Sequence, residues 1–257
     1  MRLLFLGDVY GKPGRKAVKL FMPAFLEETP IDICIANVDN LADGKGITDK
    51  TIKEMQEIGI SLFTSGNHLY DRKEGLICLD NQRVVRPLNY PIASPGKTYL
   101  IETINKNELM LLSLCGQSFM QPVDSPFRVL DHFLETNDHK PKCILVDFHA
   151  ESTAEKKSFA YYFCGRVSAI LGTHTHIQTA DEEIINETTA YITDVGMCGA
   201  HDSVIGITKE SALQRIITGV PIAHVTAEDG LQVNAVVVEI DDQTGKALKI
   251  QRIKKYI

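Results

Sequence analysis

No apolar run in this chain approaches the ~20 residues that a membrane-spanning helix needs, which excludes a helical membrane anchor. Positive charge is not in excess either. The 27 Lys and Arg face 33 Asp and Glu, for a net charge of -6. That balance argues against an extended nucleic-acid surface. It leaves room for a small phosphate-bearing substrate, because bound metal ions reverse the local sign. The six cysteines, Cys34, Cys78, Cys115, Cys143, Cys164 and Cys198, contain no Cys-x-x-Cys pair. Several sit within apolar runs. This disfavours zinc knuckles and a disulfide framework, and fits buried free thiols in a cytoplasmic protein. There is no internal repeat, low-complexity stretch or evident linker, so residues 1–257 read as one domain. The segment Met1–Asp8 carries one basic residue and ends in a carboxylate without a small-residue cleavage site. It reads as a first strand, not a signal peptide.

At 257 residues the chain can bury roughly 70–75% of its unfolded surface, enough for a core without staples. Apolar and amphipathic runs alternate at the start. Leu3–Leu6, Ile31–Ala36 and Ile60–Thr64 predict strands, with helices over Arg15–Leu26 and Thr48–Ile58. Thr48 is placed to cap the second helix and Gly59 to stop it. A β-α-β-α-β opening predicts a parallel sheet with helical crossovers. Later the pattern changes. Thr98–Ile104 and Leu109–Leu114 predict one hairpin, and Val233–Ile240 and Ala247–Ile253 a second. Short strands are expected at Ile144–Phe148, Ser168–Leu171 and Ala190–Thr193, and helices at Glu155–Phe163 and Glu210–Thr218. Parallel units followed by antiparallel pairs suggest two packed sheets covered by helices.

Several predicted strands end in hard polar side chains. His174 and His176 stand in Gly172-Thr173-His174-Thr175-His176, and neutral imidazole is a common nitrogen ligand for Zn, Fe or Mn. Asp8 follows the first strand, where open α/β sheets bind ligands. An N-cap is the alternative, and the expected helix starts too late for it. Asp39-Asn40 follow the second strand, either as hard ligands or as an Asx-turn. Asn67-His68 follow the third. Asn67 can ligate a cation, and His68 can donate a proton to a leaving oxygen with Asp71 orienting it. A polar turn is the plainer reading there. His149 closes Ile144–Phe148. A lone histidine is more often structural, but here it joins a set of polar strand ends. His132, His139, His201 and His224 lack such a setting.

Taken in order, Gly7-Asp8-Val9-Tyr10-Gly11, Asn37-Val38-Asp39-Asn40, Gly66-Asn67-His68, Asp147-Phe148-His149-Ala150-Glu151 and Gly172-Thr173-His174-Thr175-His176 resemble the calcineurin-like metallophosphoesterase superfamily. Within it they look most like the bacterial branch that hydrolyses 2′,3′-cyclic nucleotides. The segments Thr193-Asp194-Val195-Gly196-Met197 and Asp202-Ser203-Val204-Ile205-Gly206 extend the likeness over nearly the whole chain. The resemblance implies an α/β/β/α sandwich of four layers, built from two mixed sheets flanked by helices. It implies a phosphodiesterase acting on 2′,3′-cyclic nucleotides, with 3′,5′-cyclic ones as the alternative, and two metal ions supplying the attacking hydroxide. Iron or manganese is the expected pair, with zinc and magnesium as alternatives. Asp8, Asn40 and His176 would hold one ion, and Asn67, His149 and His174 the other. Asp39 would bridge them, and His68 would protonate the leaving group. Members of this branch can associate, so the resemblance leaves a homo-oligomer open, though no heptad or interface motif marks one in the sequence.

Two departures stand out. Tyr10 occupies the place where the wider superfamily has a histidine. Asp39 replaces the branch's usual glutamate with a side chain one methylene shorter. Two rival functions share the site: a phosphomonoesterase or nucleotidase, and a metal-binding regulatory protein with faded catalysis. A zinc amidohydrolase also uses His-x-His, but early in an eightfold βα barrel, and that rhythm is missing here.

Overall fold

The computed structural model describes residues 1–79 and 82–257. Its first strand, β1 (Arg2–Leu6), is central and buried. Alternation sends Leu3 and Phe5 to one face and Leu4 and Leu6 to the other. Both faces are apolar because both are covered. After the short β2 (Asp8–Val9), helix α1 (Gly11–Glu28) crosses to β3 (Ile33–Asn37), which runs parallel to β1. Helix α2 (Asp49–Glu57) then leads to β4 (Leu62–Thr64), parallel to β3.

Helix α1 starts at Gly11, four residues earlier than the apolar spacing predicts. Pro13 causes no conflict there, since first-turn N–H groups have no acceptor within the helix. Tyr10 is the N-cap and no side chain caps the helix, so Asp8 is free for other contacts. Thr48 caps α2 as expected. Thr51 N–H donates to Thr48 Oγ1 at 3.2 Å, and Thr48 N–H donates to Thr51 Oγ1 at 3.0 Å, a reciprocal box. A short α3 (Lys73–Cys78) follows.

The second sheet begins with the hairpin of β5 (Tyr99–Ile104) and β6 (Asn107–Cys115). Its turn residues Asn105 and Lys106 both take positive φ, 50° and 73°, as a two-residue hairpin of this twist requires. Helix α4 (Pro126–Thr136) leads to β7 (Cys143–His149), and α5 (Thr153–Phe163) to β8 (Ala169–Thr173). The pair β9 (Glu183–Ile185) and β10 (Thr189–Ile192) completes the order β5-β6-β7-β8-β10-β9. The chain then returns to the first sheet with β11 (Met197–Ala200). After α6 (Lys209–Thr218) come the long hairpin strands β12 (Leu231–Ile240) and β13 (Ala247–Tyr256). That sheet has the order β2-β11-β12-β1-β3-β4, with β13 on β12.

Three apolar layers hold these elements. Leu4, Leu6, Val18, Ile52 and Met55 lie between the first sheet and α1 and α2. Leu3, Phe5, Ile35, Leu111, Leu145 and Val236 fill the space between the sheets. Leu112, Leu130, Phe148, Phe159 and Phe163 lie between the second sheet and α4 and α5. Three cores separate four layers, the expected α/β/β/α stack. Cys34, Cys115, Cys143, Cys164 and Cys198 are free thiols, and the Cys78 side chain lies outside the described residues. Among the described residues no helix is long and apolar enough to cross a membrane.

Candidate metal centre

Strands of both sheets deliver the polar residues to one rim. β1, β3 and β4 run parallel in one sheet and β7 and β8 in the other. Asp8, Asp39-Asn40, Asn67-His68, His149 and the His174–His176 loop all lie at the carboxyl ends of those strands, where open α/β sheets place ligands. Gly66 makes the approach of the two sheets possible. A Cβ there would sit 2.1 Å from His149 Cδ2 and 2.2 Å from its Nε2.

Each of three imidazoles has one nitrogen held by an acceptor. His149 Nδ1 lies 2.8 Å from Thr173 Oγ1, whose own hydroxyl donates to Asp147 Oδ1 at 2.6 Å. The hydroxyl oxygen must therefore accept from the ring. His176 Nδ1 donates to the Ile205 carbonyl at 2.8 Å, and His174 Nε2 faces Glu151 Oε2 at 3.2 Å. In each neutral ring the remaining nitrogen is bare, and all three bare nitrogens point inward. Acceptors behind imidazoles are how proteins fix the tautomer of metal-binding histidines.

The inward atoms form two groups. His149 Nε2 is 3.0 Å from Asn67 Oδ1, 3.1 Å from His174 Nδ1 and 3.3 Å from Asp39 Oδ2. His176 Nε2 is 3.2 Å from Asn40 Oδ1 and 3.9 Å from Asp8 Oδ1. Asn40 Nδ2 donates to the Gly44 carbonyl at 2.9 Å, so its amide oxygen is the atom turned inward. Two donors ~2.1 Å from one cation stand roughly 3.0–3.4 Å apart, which is the spacing of the first group. Asp8 Oδ1 is buried with no hydrogen-bond partner, a costly state unless a cation meets it. Among the described residues no trio of His, Cys, Asp or Glu alone closes a cation site; the amide oxygens of Asn40 and Asn67 are part of the donor set. Hard oxygens mixed with imidazole suit iron, manganese, zinc or magnesium.

The electrostatics agree. Burial pushes Asp8 up. Burial also works against the Asp39 carboxylate, but the His149 ring and the His68 imidazole and backbone amide hold it below its ordinary range. Burial opposes charge on His149, yet Asp39, Asp8 and Asp147 lift it to about 9. His174 is pushed down to about 2 by burial and by the His149 and His176 rings. The site therefore draws positive charge to its centre, and a metal ion meets the same demand as a proton on His149.

His174 and His176 have φ of 98° and 66°, the left-handed region that side chains avoid. Such backbone persists where its surroundings over-determine it. Here Asp194 Oδ2 accepts from the Thr175 N–H at 3.0 Å and hydroxyl at 2.8 Å. Lys156 Nζ donates to Asp194 Oδ2 and to the Thr173 carbonyl, both at 2.7 Å. Lys156 and Asp194 are fully buried. The His174 N–H donates to Asp8 Oδ2 at 3.1 Å and ties the loop to the first sheet.

Asp39 Oδ1 accepts from Gly66 N–H at 2.7 Å and His68 N–H at 3.0 Å. Among the described residues the hydrogen bonds and ion pairs of its carboxylate go to the 66–68 loop and His149, which sets it with the Asn67–His149–His174 group. His68 Nδ1 is 2.9 Å from Asp71 Oδ2. The ring lines a cavity of about 420 Å³ whose wall includes Asn40, Glu151, His174 and His176. His224, which had no sequence context, lies on that wall too. His201 packs instead on Tyr256, with ring centroids 4.8 Å apart.

Residues 4–253 match the family described as YmdB-like protein. The chain belongs to this family. It is 42% identical to the 2′,3′-cyclic-nucleotide 2′-phosphodiesterase of Bacillus subtilis, over 98% of this chain and 96% of that one. The structure of a novel phosphatase from Mycoplasma pneumoniae superposes with a TM-score of 0.95 at 35% identity, over 100% of this chain and 93% of that one. A 5′-nucleotidase precursor from Thermus thermophilus has a TM-score of 0.56 at 11% identity, over 99% and 54% of the two chains, a likeness of fold alone. The fold is that of the metallo-dependent phosphatases.

Proposed function

We propose that this chain is a dinuclear metal phosphodiesterase that hydrolyses small cyclic nucleotides, 2′,3′-cyclic ones first. Its kinship with the Bacillus subtilis phosphodiesterase supports the substrate class. The observation that carries the metal requirement is the convergence of three bare imidazole nitrogens on amide and carboxylate oxygens, beside the unpartnered Asp8 Oδ1. Asp8, Asn40 and His176 hold one ion. Asn67, His149 and His174 hold the other. Asp39, set beside His149 and the 66–68 loop, would complete the second set and be shared with the first. Iron or manganese is our reading of the pair. When bound, the ions supply a nucleophilic hydroxide near neutral pH and positive charge against the phosphoryl oxygens.

The chain's own residues do the rest. Thr173, Ile205 and Glu151 hold the outer nitrogens of the three imidazoles and aim the inner ones at the cation sites. Lys156 and Asp194 hold the loop that carries His174 and His176. His68 delivers a proton to the departing ribose oxygen, and Asp71 on Nδ1 turns its Nε2 toward the cavity. We place the enzyme in the cytoplasm, acting on small molecules without an extended nucleic-acid surface, and self-associating.

A kinetic panel tests this reading. The metal-loaded protein is offered 2′,3′-cyclic nucleotides, 3′,5′-cyclic nucleotides, nucleoside monophosphates and an aryl phosphodiester. The 2′,3′-cyclic substrates are expected to give the highest kcat/KM. Higher kcat/KM on monophosphates would make the protein a nucleotidase, and no turnover of any would make it a non-catalytic metal binder.

A further inference from the structure

A second cavity, of about 620 Å³, opens beside the metal cavity and shares Tyr10, Gly44, Lys45 and His224 with it. The two are chambers of one cleft. The second chamber is lined by Lys45, Arg72 and Arg215 as well as Asp43 and Asp71. Its two carboxylates are already engaged. Asp43 meets Arg72 at 3.4 Å, and Asp71 meets His68 Nδ1 at 2.9 Å. The cations of the wall outnumber these carboxylates. Lys45 reaches Asp71 only at 3.8 Å, and Arg215 makes no ion pair among the described residues, donating instead to His224 Nε2 at 2.6 Å. Three cations thus face two carboxylates on this wall, and Arg215 is the one left without an anionic partner among the described residues. The crowding registers on His224, which is pushed below its ordinary value by burial, Arg215, Lys45 and His68.

We propose that this chamber is a second phosphoryl subsite, and that the substrate is a nucleotide carrying another phosphate besides the cyclic one. The inference rests on the cyclic-phosphodiesterase reading of the metal cavity. With the cyclic phosphate at the metal end, the rest of the nucleotide leaves through the shared wall, and Arg215 and Lys45 meet the next phosphate. An arginine fork with a lysine ammonium on the same wall is suited to phosphate oxygens. Two sources present that chemistry: a 5′-phosphate on the same nucleoside, or the internucleotide phosphate of a short RNA ending in a 2′,3′-cyclic phosphate. The net charge of -6 favours a short strand over a long one.

The test compares kcat/KM for adenosine 2′,3′-cyclic phosphate, its 5′-phosphorylated form and a diadenosine dinucleotide with a 2′,3′-cyclic end. The wild-type protein is expected to prefer at least one phosphorylated substrate by roughly 5- to 20-fold, the worth of a charge-assisted contact at an exposed site. Whichever is preferred identifies the source of the phosphate. Arg215→Ala should bring that ratio close to one, Arg215→Lys should keep part of it, and added salt should lower it in the wild type. Equal kcat/KM for all three, or a preference that survives Arg215→Ala, overturns the subsite while leaving the cyclic-phosphodiesterase reading intact. No turnover of the plain cyclic nucleotide overturns that reading and the subsite with it.

Discussion

Gly66→Ala tests whether the two sheets meet as closely as the metal centre requires. The added methyl would stand 2.1 Å from His149 Cδ2 and 2.2 Å from Nε2. Ordinary carbon contacts are about 3.5–4.0 Å, so the imidazole must retreat by roughly 1.3 Å or more. It has little space for that. His149 is fully buried, its Nδ1 is held by Thr173, and Phe148 beside it in the chain is packed in the third core. Over-packing of this kind costs about 1–3 kcal/mol, which a domain of this size survives. The functional cost is larger. Nε2 would leave its positions 3.0 Å from Asn67 Oδ1 and 3.1 Å from His174 Nδ1. A misplacement of ~1 Å at a reacting centre costs about 10²-fold in rate. Urea denaturation, elemental analysis and kcat/KM on a 2′,3′-cyclic nucleotide are to be measured on one preparation. A folded variant short of one ion and slowed about 10²-fold is expected. A folded Gly66→Ala with full metal and wild-type turnover would refute the geometry described for His149.

Other substitutions probe single parts. His68→Ala should keep its metals and lose roughly 10²–10⁴ in kcat, the usual worth of a positioned proton donor; unchanged kcat would remove it from that role. Lys156→Met leaves the Asp194 carboxylate buried and unpaired, and should cost about 3–5 kcal/mol by chemical denaturation. In the same variant the His174–His176 loop should loosen and metal affinity should fall, while Lys156→Arg should recover part of both. A loss of stability with metal affinity intact would mean that the pair supports the fold without positioning the loop.

The architecture was largely legible because burial writes itself into composition. Strands covered on both faces, such as Leu3–Leu6, are unbroken apolar runs, and the crossovers between them are amphipathic. Helix α4 escaped a reading based on apolar spacing, though Ser125-Pro126 is a start signal that could have found it. Strand β11 was less visible. Met197-Cys198-Gly199-Ala200 is short, and its pairing with β2 on one side and β12 on the other makes it a strand. The convergence of these polar side chains was legible for a topological reason: parallel strands put their carboxyl ends on one rim, so polar residues after apolar runs meet there. Their supports were not. Lys156 lies between Glu155 and Lys157, which are only half-buried, and nothing local marks it as fully buried. Asp194 and Thr173 act through partners distant in sequence, and the role of Ile205 resides in its carbonyl.

The most direct test of the central claim is the metal stoichiometry of the purified, metal-supplemented protein and of three variants. Two ions per chain are expected in the wild type, with one lost in His176→Ala, the other lost in Asn67→Ala, and both weakened in Asp39→Ala. A wild-type protein that retains no ion, or variants that each keep two with unchanged affinity, would contradict the assignment of these side chains to a dinuclear centre.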